Sequence, residues 1–230
     1  MRRSIWPVLV FAVLGFLLLL ALGIWQVQRL AWKEGLIAAI DASIAAPAIT
    51  LQQARQLPNI DYAKVKLDGE FWNTEPVLMI ATADGGPAWS VIHAFALGDG
   101  TVLMVDVGKL RDGVPPPPPA GAISLEALVR LHAGRQGMFD PDNKADGSEW
   151  YWWDLPAMAR HLGATEQAFT LQLLPGQPGT EGLIVEPPKA NLRNNHLGYA
   201  ITWFGLAATL VVMAGLFLLR LRREAANGTQ

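Results

Sequence analysis

His196, Tyr199 and Trp203 stand three and seven residues apart, the spacing that lines one side of an α-helix over its first two turns. From Leu197 to Leu219 no side chain is charged, so the imidazole sits where a helix enters an apolar medium, with an aromatic strip below it. Near the other end, Trp25, Arg29 and Trp32 recur at helical spacing just past a second apolar run. A guanidinium at a membrane surface has two uses. It snorkels to lipid phosphate, or it pairs with a bound anionic group such as a carboxylate. The chain has no cysteine, which removes disulfides, thiolate metal sites and thiol catalysis. Any metal ligand or nucleophile must come from His, Asp, Glu, Ser, Tyr or Met.

The elements that carry these residues are legible from hydropathy. At about 1.5 Å per residue, residues 197–219 form a helix about 35 Å long, enough to cross a hydrocarbon core of about 30 Å with some tilt. Residues 5–25 give the first span, with Pro7 in the first turn, where proline is tolerated. Its apolar part exceeds the roughly 7–15 residues of a signal-peptide core and no small-x-small cleavage site follows closely, so a retained anchor is expected. Leu30, Ile37, Ile40 and Ile44 continue an apolar face and predict a helical extension over 26–46, ended by Pro47. The expected order is a cytoplasmic N-terminus (1–4), the first span (5–25), that extension (26–46), a β-rich domain (47–193), the second span (194–219) and a cytoplasmic tail (220–230). Arg2 and Arg3 before the first span, with Arg220, Arg222 and Arg223 after the second, predict cytoplasmic termini and a periplasmic centre in a bacterial plasma-membrane protein. Asn194 or Asn195 is expected to cap the second helix.

The fold class expected is therefore a membrane protein whose two transmembrane helices flank a mainly antiparallel α+β domain. Residues 63–71, 77–82, 90–96, 102–107, 123–131, 169–174 and 183–186 read as strands and 155–162 as a short helix. The stretch 83–87 and Asp99-Gly100 supply turn chemistry. Pro115 to Pro119 predict a stiff extended connection. In residues 140–154 an EF-hand fails, because Lys144 falls on a ligand position and Ala145 replaces the required glycine. Trp150, Tyr151, Trp152 and Trp153 cannot all face a core from a two-sided strand, so docking near the membrane surface is expected of this cluster. His93, His132 and His161 are scattered and default to core or surface roles. The net charge of −2 argues against nucleic acid. No Ser-His-Asp order, phosphate loop or paired carboxylates stand out, so the chain is not expected to be an enzyme.

GIWQVQRLAWK after the first span, paired with NNHLGYAITWFGLA entering the second, resembles the surfeit-locus-1 family of cytochrome c oxidase assembly proteins. Residues 65–110 and 138–154 are similar to that family's periplasmic blocks. Where the family carries asparagine or aspartate followed by Arg-Gly-Trp-Val-Pro, this chain reads Asp106-Val107-Gly108-Lys109-Leu110. The resemblance implies help in building the haem–copper oxidase, by receiving haem a from haem a synthase and presenting it to oxidase subunit I. It maps the family's haem-associated histidine and tryptophan onto His196 and Trp203. Tyr199, Trp25 and Arg29 complete the expected cofactor site, with Arg29 and Arg193 meeting the propionates. The alternative is a non-haem membrane scaffold that holds oxidase subunits during assembly.

Overall fold

The computed structural model describes residues 6–72, 75–132, 134, 136–144, 149–188 and 194–227, with side chains described to Glu224. The chain divides into two compact units, one made of residues 1–39 and 190–230 and the other of residues 40–189.

The first unit is built from α1 (Trp6–Ala45), whose last turns belong to the second unit, and α4 (His196–Asn227). Both are long and apolar enough to cross a membrane, so the chain is a membrane protein in which two terminal helices flank a β-rich domain. The helical extension over 26–46 is continuous with the first span. It stops at Ala45 because the residue before a proline, here Ala46 before Pro47, is pushed out of the helical region. α4 runs past the expected end at 219, its polar last turns carrying an Arg220–Glu224 pair at 3.5 Å.

The two helices pair antiparallel through small residues. A Cβ on Gly23 would come within 2.5 Å of Phe204 Cε1, and one on Gly15 within 3.3 Å of Leu210. Ala200 and Ala207 are buried along the facing stripe of α4. In lipid no hydrophobic force drives helices together, so such close approach through small residues supplies the packing. Gly23 is the notch that receives the Phe204 ring.

The second unit carries β1 (Ile49–Thr50), α2 (Leu51–Ala54), β2 (Lys64–Phe71), β3 (Val77–Ala83), β4 (Gly86–Leu97), β5 (Val102–Leu110), β6 (Ile123–Arg130), α3 (Leu155–Leu162) and β7 (Thr170–Leu173). The strand order is β1-β2-β6-β7-β5-β4-β3, and a further β2–β4 pairing closes five of these strands into a barrel. All pairings in the ring are antiparallel except β5–β7. Closure needs Gly69, since a Cβ there would fall 2.2 Å from the Ala96 carbonyl oxygen. Inside, alternate residues meet: Val65, Leu67, Phe95, Leu103, Leu125 and Leu171 are almost fully buried. Asp84-Gly85 turns β3 into β4 with φ of 47° and 79°, the left-handed pair of a tight hairpin.

A second core lies where α3 covers Ile92, Met104 and Met79 with Leu155, Met158 and Leu162. α3 is capped by Asp154, whose Oδ1 accepts from Ala157 N at 3.1 Å, and it ends at Gly163 with φ 70°. The expected strand at 183–186 is reduced to one bridge, Lys109 paired with Ile184 through two hydrogen bonds of 2.9 Å.

Candidate functional site

The apolar run that makes α4 helical also fixes which of its residues meet α1. His196, Ala200, Trp203, Ala207 and Leu210 recur at spacings of four and three, so they share one stripe. His196 and Trp203 are partly buried on it, whereas Tyr199 is 56% exposed. The imidazole therefore turns toward the companion helix. Its Nδ1 lies 2.7 Å from Oε1 of Gln26, which is itself only 8% exposed. No other hydrogen bond to this ring occurs among the described residues.

Gln26 escaped the sequence reading, which followed the aromatic side of the same helix. Gly23, Gln26 and Leu30 recur three and four apart, and that phase was the signal available. Trp25 and Arg29 lie on a different strip. Trp25 is 53% exposed, and the Arg29 guanidinium stacks on Trp32 with 4.0 Å to the ring centroid. Stacking occupies the face of the guanidinium and leaves its in-plane N–H donors for a carboxylate or phosphate. Arg193 lies outside the described residues.

The expected side-chain cap at the start of α4 is not made by Asn194, whose Oδ1 is enclosed without a partner among the described residues. The main-chain carbonyl of Asn195 accepts from Tyr199 N at 3.4 Å.

The other histidines have structural settings. His93, 2% exposed, meets Phe71 edge-on in the barrel unit, and burial pulls its pKa down to about 4. His132 stacks on Trp153 at 3.6 Å and shares a 2.7 Å hydrogen bond with Thr170 Oγ1. Burial, helped by the Arg130 charge, brings its pKa to about 4 as well. Among the described residues no cluster of three or more His, Asp or Glu side chains is arranged to hold a metal ion. The donor set at α4 is one imidazole between helices. That donor set does not fit an ion needing several side chains, and would suit a haem, which asks few ligands of the protein.

Residues 13–208 match the model of the SURF1 family. The chain belongs to that family. It is 32% identical over 229 residues to Surfeit locus protein 1 of Homo sapiens, covering 88% of this chain and 73% of the human protein. Against the SURF1-like protein of Monosiga brevicollis it is 29% identical, covering 90% of this chain and 85% of that protein. The SURF1-like protein of Rickettsia felis is 26% identical, with 87% and 92% covered. The SURF1 match spans both Gln26 and His196, as well as Trp25, Arg29, Tyr199 and Trp203.

In this SURF1-family chain, of the four aromatic residues 150–153 only Trp150 is buried, and Tyr151, Trp152 and Trp153 are partly exposed. Trp150 is buried beneath α3, held to β3 by Trp150 N to Leu78 O and Ile80 N to Trp150 O, both 2.8 Å. Tyr151 meets Trp89 edge-on and Trp153 covers His132. Asn143 Oδ1 accepts from Tyr151 N at 2.8 Å and Trp152 N at 3.3 Å, which clamps the segment. The segment is irregular apart from the bridge that Trp150 makes with Met79, and as expected its four aromatic residues are not all in the core. At the departed family turn, β5 continues as strand. Asp106 accepts from Ser90 Oγ and from Gly108 N, both at 3.0 Å. Lys109 reaches Glu186 at 2.8 Å and the Thr82 carbonyl at 2.7 Å.

Proposed function

We propose that this protein is an assembly factor for the haem–copper cytochrome c oxidase, and that it holds haem a at His196 and hands it to oxidase subunit I. Family membership supports the assembly role. The observation that carries the cofactor reading is the imidazole turned between two apolar helices with one nitrogen engaged by Gln26 at 2.7 Å. When bound, a haem would supply an iron with affinity for an imidazole nitrogen. The chain's own residues do the rest: His196 provides that nitrogen, Trp203 offers a flat apolar wall two turns deeper, and Arg29 offers in-plane donors to carboxylates at the surface. The apolar surroundings suit the long hydrocarbon tail of haem a, which loses free energy on leaving water. A single protein ligand suits a carrier, because a cofactor held by two histidines is harder to release. The donors and recipients that fit this role are haem a synthase and oxidase subunit I. The protein works in a bacterial plasma membrane with its termini cytoplasmic and its barrel periplasmic, and it catalyses no reaction of its own.

The test is an absorption spectrum of the protein purified from cells that make haem a, repeated with His196→Ala. A Soret band in the first and its loss in the second is the expected result. A colourless wild-type preparation that still co-purifies with oxidase subunits would leave only the scaffold role.

A further inference from the structure

Gln26 is a buried polar side chain on the face of α1 that packs against α4, and a polar group is retained in such a place at a cost unless it has a partner. Its partner is Nδ1 of the His196 ring. With Oε1 as the acceptor at 2.7 Å, an imidazole that donates through Nδ1 keeps its lone pair on Nε2. That is the tautomer an axial ligand requires. We propose that Gln26 is the positioning residue of the haem site: it fixes the tautomer and rotation of His196 and sets how strongly that ring binds iron. The proposal rests on the haem reading above.

The chemistry of the acceptor decides the second half. An outer hydrogen bond raises the basicity of a ligating imidazole, and a carboxylate does so more than a neutral amide because it draws the Nδ1 proton further. A carboxylate at position 26 would give an electron-rich, firmly held ligand. An amide orients the ring and leaves it a weaker donor, and that intermediate strength is what a protein that must surrender its cofactor needs.

The experiment uses the full chain in detergent micelles and has two arms. In the first, ¹⁵N-histidine-labelled protein without haem is compared with His196→Ala, to assign the resonances, and with Gln26→Leu and Gln26→Asn. The Nδ1–H tautomer is expected at His196 in the wild type, giving way to a mixture in both Gln26 variants. Asparagine keeps the amide but is one methylene too short, so the pair separates reach from polarity. Circular dichroism confirms that the helices persist.

In the second arm, hemin is titrated into the same proteins and into Gln26→Glu. Gln26→Leu and Gln26→Asn are expected to weaken binding by about 10–100-fold, the range typical of lost outer-sphere partners. Gln26→Glu is expected to bind at least as tightly as wild type, with a higher iron–histidine stretching frequency and a lower reduction potential. An Nε2–H tautomer in the wild type, or Leu and Asn variants that match it in tautomer and affinity, overturns the positioning role. A Gln26→Glu variant with unchanged stretch and potential overturns the tuning role. If the wild type binds no hemin, or His196→Ala binds it equally, the haem reading itself fails and ligand tuning falls with it. The tautomer arm still reports separately whether Gln26 governs the ring.

Discussion

Gly23→Ala tests whether helix packing sets the site. The new Cβ would lie 2.5 Å from Phe204 Cε1, where carbon atoms settle at about 3.5–4.0 Å. An overlap of about 1 Å must be relieved by swinging the ring out or parting the helices. Gln26 is one turn away, about 4.5 Å along α1, so a separation of about 1 Å stretches the 2.7 Å bond to His196 past the hydrogen-bond limit. Overpacking costs about 1–3 kcal/mol and the lost hydrogen bond about 1 kcal/mol. Against these stands the helix-propensity gain of alanine over glycine, at most about 1 kcal/mol. The net expectation is a loss of about 1–3 kcal/mol, read as a shift of the unfolding midpoint in mixed micelles, with a change in the His196 tautomer. Gly35→Ala, where no atom lies within 4 Å of the new Cβ, should show the propensity gain alone. Phe204→Ala should rescue Gly23→Ala, with a coupling of about 1–3 kcal/mol in the double-mutant cycle. A Gly23→Ala protein as stable as wild type, or a double variant no better than the sum of the singles, would falsify the account.

Burial lifts the Asp106 pKa to about 6, against the opposing pull of its hydrogen bonds from Gly108 and Ser90 and of the Lys109 and Arg130 charges. The folded state therefore holds a proton the unfolded chain has released, and stability falls as pH rises from about 4 to about 6. Asp106→Asn keeps both contacts without the charge, its oxygen accepting from Gly108 N and its amide donating to the Ser90 hydroxyl, and should raise the melting temperature at pH 7.5 but not at pH 4. About 3 kcal/mol is the ceiling, because part of this residue stays exposed; a lower melting temperature at pH 7.5 would count against it. His93 works in the other direction: its folded pKa near 4 lies below the ordinary 6.5, so the unfolded chain binds more protons and stability is lost as pH falls from about 6.5 to 4. His93→Gln should remove an acid-induced loss of about 3 kcal/mol, seen as a flatter pH profile of unfolding midpoints. Arg29→Gln should weaken hemin about 5–10-fold at low salt, less at high salt, and leave the His196 tautomer alone, since that proton is governed by Gln26. An altered tautomer in Arg29→Gln, or no loss of affinity, would remove Arg29 from the carboxylate role.

Much of the barrel was legible because its strands are local patterns. Val77 onward and Val102 onward alternate or run apolar, Asp-Gly pairs mark the hairpins, and α3 has its cap and its apolar face in eight residues. Closure was not legible. It depends on β4 bonding to β3, β5 and β2 and on β7 entering parallel to β5, pairings between residues far apart in sequence that leave no periodic trace. β1 and α2 were missed because two and four residues are too short to show a period. Yet the capping box that starts α2, Thr50 with Gln53 reciprocally bonded, was readable as a motif.

The site divides in the same way. His196 stood out because a lone imidazole at the edge of an apolar run is unusual in composition, and composition needs no partner to be seen. Gln26 did not, because a glutamine among Trp25, Val27 and Gln28 looks like any interfacial residue until the helix is given a phase. Phase follows from packing: only Gly23 admits the Phe204 ring, and once that contact is fixed Gln26 lies one turn above it, facing His196. The same rotation carries Trp25, Arg29 and Trp32 outward, to where aromatic rings and a stacked guanidinium suit the lipid headgroup layer. One helix thus presents a buried strip that meets His196 and an exposed strip that carries a stacked guanidinium, and the glycine on the buried strip sets the phase of both.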